Sequence, residues 1–203
     1  MARWNKRAEA EVLAFSLATE LDRLISECWD VMHDPQHEDR ETGIWEATVA
    51  TPTISFSDQP KWASFPKRLH YRIRALPNKI DAAVRSCANI GEYGEGPPYY
   101  GDYFQEREIR FAWIGLESCL LRQELTDKYG VEVLERGQWE PEANFRTKIM
   151  QIEQQRQTDK VAWQPPDFLR PKVDIADLEK RRADLGVALD AAQERMARAP
   201  QWM

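Results

Sequence analysis

No run of about 18 apolar residues occurs in this chain, so no segment has the make-up of a membrane-crossing helix. The longest uncharged stretch, residues 47–57, is rich in threonine and serine. The opening MARWNKRAEAE carries basic residues with no apolar segment behind them, unlike a secretory signal. Cysteine is scarce: Cys28, Cys87 and Cys119 are odd in number and widely spaced among apolar neighbours. That argues against a disulfide framework and for small buried hydrophobes in a reducing compartment, the cytoplasm or the cytoplasmic face of a membrane. Nor is there an excess of positive charge. With 28 basic against 34 acidic residues the net charge is -6, which gives no global pull toward nucleic acid. A G-x-S-x-G elbow, a phosphate loop, H-E-x-x-H and a dinucleotide fingerprint are all missing, and nothing asks for a cofactor.

What is present is helical periodicity. At 203 residues, 42% hydrophobic and 31% charged, the chain can build one globular domain. Ala10, Ala14, Leu17, Leu21, Leu24, Cys28 and Val31 recur at spacings of four and three, and Leu13, Ala18, Ile25 and Met32 widen that stripe. This predicts a helix over 4–32, stopped by Asp34 and Pro35. Leu69, Ile73, Leu76, Ile80, Ala83, Cys87 and Ile90 predict a second helix over 61–90, kinked near Leu76 because Pro77 deletes a donor and crowds the preceding turn. A third, over 102–129, has two apolar lines: Phe104, Phe111, Ile114, Leu121 and Leu125, with Ile109, Trp113, Leu116 and Leu120 beside them. It should be the most buried, with Trp29 and Trp113 in the core, and Gly130 should end it. A peripheral helix over 141–158 has only Phe145, Ile149 and Ile152, and a last one over 174–198 opens at Asp174. The expectation is an all-α bundle of four to five long amphipathic helices in a single domain, 1–203. A minor extended segment or hairpin is expected around 44–56, where β-branched residues surround Pro52. That connection is long enough for the first two helices to run parallel or antiparallel.

Candidate chemistry is thin. His33 and His37 sit in the acidic run MHDPQHEDRE, and imidazoles with carboxylates can hold a divalent metal. Pro35 breaks the helix that would align them, so a solvated acidic loop is the better reading. Ser64 and Lys67 form S-x-x-K without the companion motifs of serine acyl-enzymes. GEYGEGPPYYG, residues 91–101, brings Tyr93, Tyr99 and Tyr100 into a loop that could cover a small-ligand site between helices.

The strongest electrostatic feature is the second helix. Lys61, Lys67, Arg68, Arg72, Arg74, Lys79 and Arg85 face one acid, Asp81. Lys67, Arg74 and Arg85 should point outward, where they could contact an anionic protein or a phospholipid surface. The bland alternative is pairing with acids of the neighbouring helices, such as Glu20, Asp22, Glu27, Glu106 and Glu108. Eight tryptophans exceed what a core of this size needs, and those in weakly apolar surroundings suggest partner contacts, a second copy among them.

RWNKRAEAEVLAFSLATELDRLI, LPNKIDAAV and REIRFAWIGLESCLLRQEL together resemble short uncharacterised bacterial proteins in which one membrane-spanning helix precedes a helical bundle. The resemblance covers residues 3–130 without the anchor. It implies a module held near the cytoplasmic membrane face and brings no catalytic residues. A non-enzymatic interaction module is therefore the leading expectation; an enzyme or small-ligand binder with a site between helices is the alternative.

Overall fold

The computed structural model describes residues 2–56, 60–132 and 137–162. The chain divides into two units, Met1–Gln157 and Thr158–Met203; the elements below belong to the first, apart from the last turn of the final helix. They are the helices α1 (Ala2–Met32), α2 (Lys67–Arg74), α3 (Leu76–Tyr93), α4 (Gly101–Tyr129) and α5 (Pro141–Ala162), with a short 3₁₀ helix over Pro60–Ser64. The fold is an all-α helical bundle. The helix expected over 174–198 lies outside the described residues.

α4 is the central element. Asp34, just past the end of α1, meets Arg107 near the start of α4, while Asp22 meets Arg122, so α1 runs antiparallel to α4. Ser86 donates to Glu106, and Arg72 donates to Glu117 and Glu124, so α2 and α3 are also antiparallel to it. Phe145 lies against Gly115, and Arg156 reaches Glu106, giving α5 the same sense. Every residue of the α1 stripe is buried, as are Leu69, Ile73, Leu76, Ile80, Ala83 and Cys87. The thin apolar edge of α5, Phe145, Ile149 and Ile152, is fully sunk against the bundle.

α1 and α2–α3 thus run in the same direction, and the chain between them has to return the length of α1. Asp34 anchors the return. Its carboxylate accepts from the Thr48 hydroxyl at 2.6 Å and from the Thr48 and Val49 backbone N–H groups. Arg107 grips it at 2.6 Å and donates to the Val49 carbonyl. Further along, Arg23 donates to the Thr53 carbonyl, and Phe56 packs edge-on to Trp62 beside Leu13 and Leu17. The strand pairing overlaps the expected segment only at its start: β1 (His37–Glu38), upstream of it, pairs antiparallel with β2 (Trp45–Glu46). Asp39 tightens that turn by accepting from the Glu41 and Thr42 N–H groups. Residues 47–56 form no regular element and are held by Arg23 of α1 and Arg107 of α4, not by a partner strand.

Three expectations change. The second helix is not one piece: a 3₁₀ turn and Pro66 precede α2, and the ladder breaks at Ala75, because Pro77 has no N–H to give to Ile73. α3 also runs on to Tyr93, two residues into the expected loop. Trp113 is not core. It is 49% exposed, and Leu120, two turns on, is 37% exposed, because no described helix closes that strip of α4. The predicted stop is met at Gly130, whose φ of +64° is left-handed and whose N–H caps Thr126 at 2.9 Å.

Candidate functional site

The outward surface of α2–α3 gathers the features that neither core nor capping explains. At about 100° per residue, Lys67, Arg74 and Arg85 fall within about 20° of one another, opposite Leu69, Ile73 and Ile80. All three are exposed. Among the described residues no carboxylate lies within ion-pair reach of Lys67, Arg68 or Arg85. Arg74 differs: its guanidinium lies over the Trp62 indole, 5.6 Å from the ring centre, and Trp62 in turn stacks on His70. The cations flanking the core behave otherwise. Arg72 bridges Glu117 and Glu124 at 2.9 and 2.7 Å, and Lys79 approaches Glu117 at 3.7 Å. The pairing alternative therefore holds for Arg72 and Lys79, with different acids of α4 than those anticipated, and among the described residues it does not extend to Lys67, Arg68 or Arg85.

The break at Ala75 makes this surface concave. A groove of about 460 Å³ runs past Tyr71, Arg74, Ala75, Asn78, Lys79 and Ala82. A second, of about 290 Å³, continues over Lys79 and Ala82 to Arg110, Trp113 and Glu117. Tyr71, 74% exposed, stands at one end and the half-exposed Trp113 at the other. No protein-family model, curated protein or solved structure matches this chain.

The remaining candidates are dispersed. The His33 imidazole contacts its own helix, with Nδ1 3.0 Å from the Trp29 carbonyl and its ring against the indole, while His37 is exposed in β1. Among the described residues no three histidines, cysteines or carboxylates converge as metal ligands. Tyr93 and Tyr99 are exposed, Tyr100 precedes α4, and the Trp45 N–H bonds the Pro98 carbonyl, tying the loop to β2. A pocket of about 310 Å³ between helices does exist, lined by Asp22, Ile25, Cys119, Arg122, Trp139 and Glu142. It lies beside the second half of α4, about 30 Å along that helix from the tyrosine loop, so that loop does not cover it. Of its charges, Asp22 is paired with Arg122 and Glu142 with Arg146, while Glu140 also lines it.

Two buried ionic clusters carried no sequence signal. Burial alone would raise the Asp34 pKa, but hydrogen bonds from Thr48, Gln36 and Val49 hold it well below the carboxylate range. Glu106 is likewise opposed by burial, yet Ser86, Arg110 and Arg156 bring it down to about 2. Nearby Cys87 is pushed up to about 11, chiefly by burial, so it rests as a thiol. Both carboxylates are saturated by fixed donors, an arrangement that locks helices together and leaves no acid or base poised near neutrality.

Proposed function

We propose that this protein is a non-enzymatic helical interaction module whose basic α2–α3 face binds an anionic partner. The reading is carried by the exposed line of Lys67, Arg74 and Arg85 on a chain of net charge -6, with cations at the same helix's flanks already neutralised. Lys67 and Arg85, without an ion pair among the described residues, favour a ligand from outside the chain. The exposed aromatics at the ends of the same groove add contact area of the kind that interfaces use. We infer a setting in the cytoplasm or at the cytoplasmic face of a membrane, supported by three free, buried thiols and by the resemblance to anchored bacterial proteins. No helix described here is long and apolar enough to cross a membrane.

Each basic residue near an anionic surface contributes about 1 kcal/mol, screened over about 8–10 Å at ordinary salt. Retention on polyglutamate and on phosphatidylserine vesicles at low salt provides the test. The wild-type chain should be held by at least one of them. Lys67→Glu with Arg74→Glu and Arg85→Glu should release it while the helical spectrum stays unchanged, since exposed charges add little stability. The double change Lys67→Glu with Arg85→Glu spares the Trp62 contact and should weaken binding in the same direction. A wild-type chain held by neither probe would refute the reading.

A further inference from the structure

We propose that the anionic partner of the α2–α3 face is a second copy of this chain, whose acidic end docks on Lys67, Arg68 and Tyr71 at the start of α2. The proposal rests on reading α2–α3 as an anion-binding face and names the partner that binds there.

The net charge of the chain is concentrated in one place. Residues 36–46 and 91–102 hold seven acids against one base, Arg40, a surplus equal to the whole net charge of -6. That leaves 27 of the 28 basic and 27 of the 34 acidic residues in balance elsewhere. The fold gathers both stretches at one end of the bundle. α1 and α3 end there, α4 begins there, and the Trp45 N–H donates to the Pro98 carbonyl at 3.0 Å. Glu38, Glu41 and Glu46 of the hairpin are exposed, as are Glu92 and Glu95 at the turn into α4. Among the described residues none of these five is in an ion pair. Tyr93 and Tyr99, 79% and 63% exposed, belong to the same turn. Tyrosine is a side chain that interfaces favour, and the carboxylates beside it select a cationic surface opposite.

The start of α2 carries the matching chemistry. Lys67 and Arg68 are exposed and without an ion pair among the described residues, and Tyr71, 74% exposed, follows one turn later. The acids that α4 sends to this side are already engaged, Glu117 by Arg72 and Glu124 by Arg72 and Lys128. Arg85 lies about two turns from Glu92 and is left out of the contact.

Geometry sends the contact to another molecule. Phe65, just before α2, packs on Tyr129 with ring centres 5.1 Å apart, so the start of α2 sits at the end of α4 away from the acidic end. The 29 residues of α4 make it about 40 Å long. A copy therefore cannot close the contact on itself. Two different surfaces joined in this way form a head-to-tail interface, which runs on from copy to copy where a two-fold dimer would stop. Such a contact is screened over about 8–10 Å at ordinary salt, so assembly belongs to low ionic strength.

Sedimentation velocity of the full chain at low salt tests this, with two neutralised variants. One is Lys67→Gln with Arg68→Gln; the other is Glu38→Gln with Glu92→Gln and Glu95→Gln. The wild-type chain should form species beyond a dimer that grow with concentration and dissociate at about 0.5 M salt. Each variant alone should associate at least about tenfold more weakly, the loss of two or three exposed charge contacts. Mixed in equal amounts, the two should pair and stop there, because one intact acidic end meets one intact basic face. An unchanged helical spectrum certifies both variants. A monomeric wild-type chain, growth that survives in either variant, or a mixture that does not pair overturns the proposal. If the monomeric wild-type chain is still held by polyglutamate or by phosphatidylserine vesicles, the anion-binding face stands and its partner is another molecule. If neither probe holds it, both readings fall.

Discussion

α4 presents one seam to α1 and another to α2–α3, and the two are finished differently. Toward α1 the apolar residues of both helices are sealed, with Leu21, Leu24, Ile25, Cys28, Leu121 and Leu125 wholly without exposure. Ion pairs close that seam at both ends: Asp34–Arg107, whose side chains are only 3% and 4% exposed, and Asp22–Arg122. Toward α2–α3 an equally regular apolar line is buried inside, but the outer half stays open, with ion pairs partly wet and Tyr71 and Trp113 in solvent. A buried pair is costly to break because the abandoned charge stays in low dielectric, whereas a wet pair is nearly free to lose. The closed seam therefore holds the fold, and the open one can be altered at little cost to stability, as a binding surface requires.

The largest expected effect is at the closed seam. Arg107→Ala strands Asp34 and unfastens the return segment at Val49, and should cost about 3–5 kcal/mol in urea unfolding. A cost as small as that of Arg72→Ala on the open seam would erase the distinction between the two. Leu21→Ala, Leu121→Ala and Ile73→Ala should each cost about 2–5 kcal/mol, because all three residues are fully buried. Ile73 is the discriminating member, since it tests whether the inner half of the open seam is as tightly packed as the closed one.

Gly115→Ala should cost about 1–3 kcal/mol. A Cβ there would sit 2.3 Å from the Phe145 ring, inside any allowed contact. Phe145→Leu should recover part of the loss, and thermal unfolding of the double variant checks the coupling.

Acid offers a graded comparison. Asp34 and Glu106 both have folded pKa values below their ordinary 3.8 and 4.5. Their contribution is thus fully present above about pH 4.5 and is lost as pH falls toward about 2, where Glu106 titrates. The urea midpoint should drop across that window, and Glu106→Gln should flatten part of the drop. Smallest of all, Trp113→Ser should change stability by less than about 1 kcal/mol. A core-sized loss at Trp113 would show that strip of α4 to be packed after all.

Much of the fold could be read from spacing alone. Every residue predicted for the α1 stripe is buried, because a four-three repeat over about six turns defines a single face whichever helix covers it. The place of the interruption near Leu76 and the stop at Gly130 were legible because proline and glycine act through local backbone chemistry. Trp113 misled, since an apolar residue beside an apolar line is buried only if a neighbour arrives to cover it. The outer basic line was visible as Lys67, Arg74 and Arg85. The groove beside Arg74 was not, because a concavity depends on how the interrupted helix lies against α4. Asp34 and Arg107 are 73 residues apart, and nothing local marks them as partners.

The sequence by itself determined that the chain is helical, where its helices break, and which sides face inward, because periodicity and backbone chemistry act over a few residues. The direction in which α1 and α2–α3 run was decided only by tertiary structure. A connection of that length permits either sense, and it is the five-fold grip on Asp34, from Arg107, Thr48 twice, Val49 and Gln36, that turns the chain back along α1. Which cations found acids on a neighbouring helix was decided at the same level, since pairing depends on distances between helices that no spacing along one helix contains.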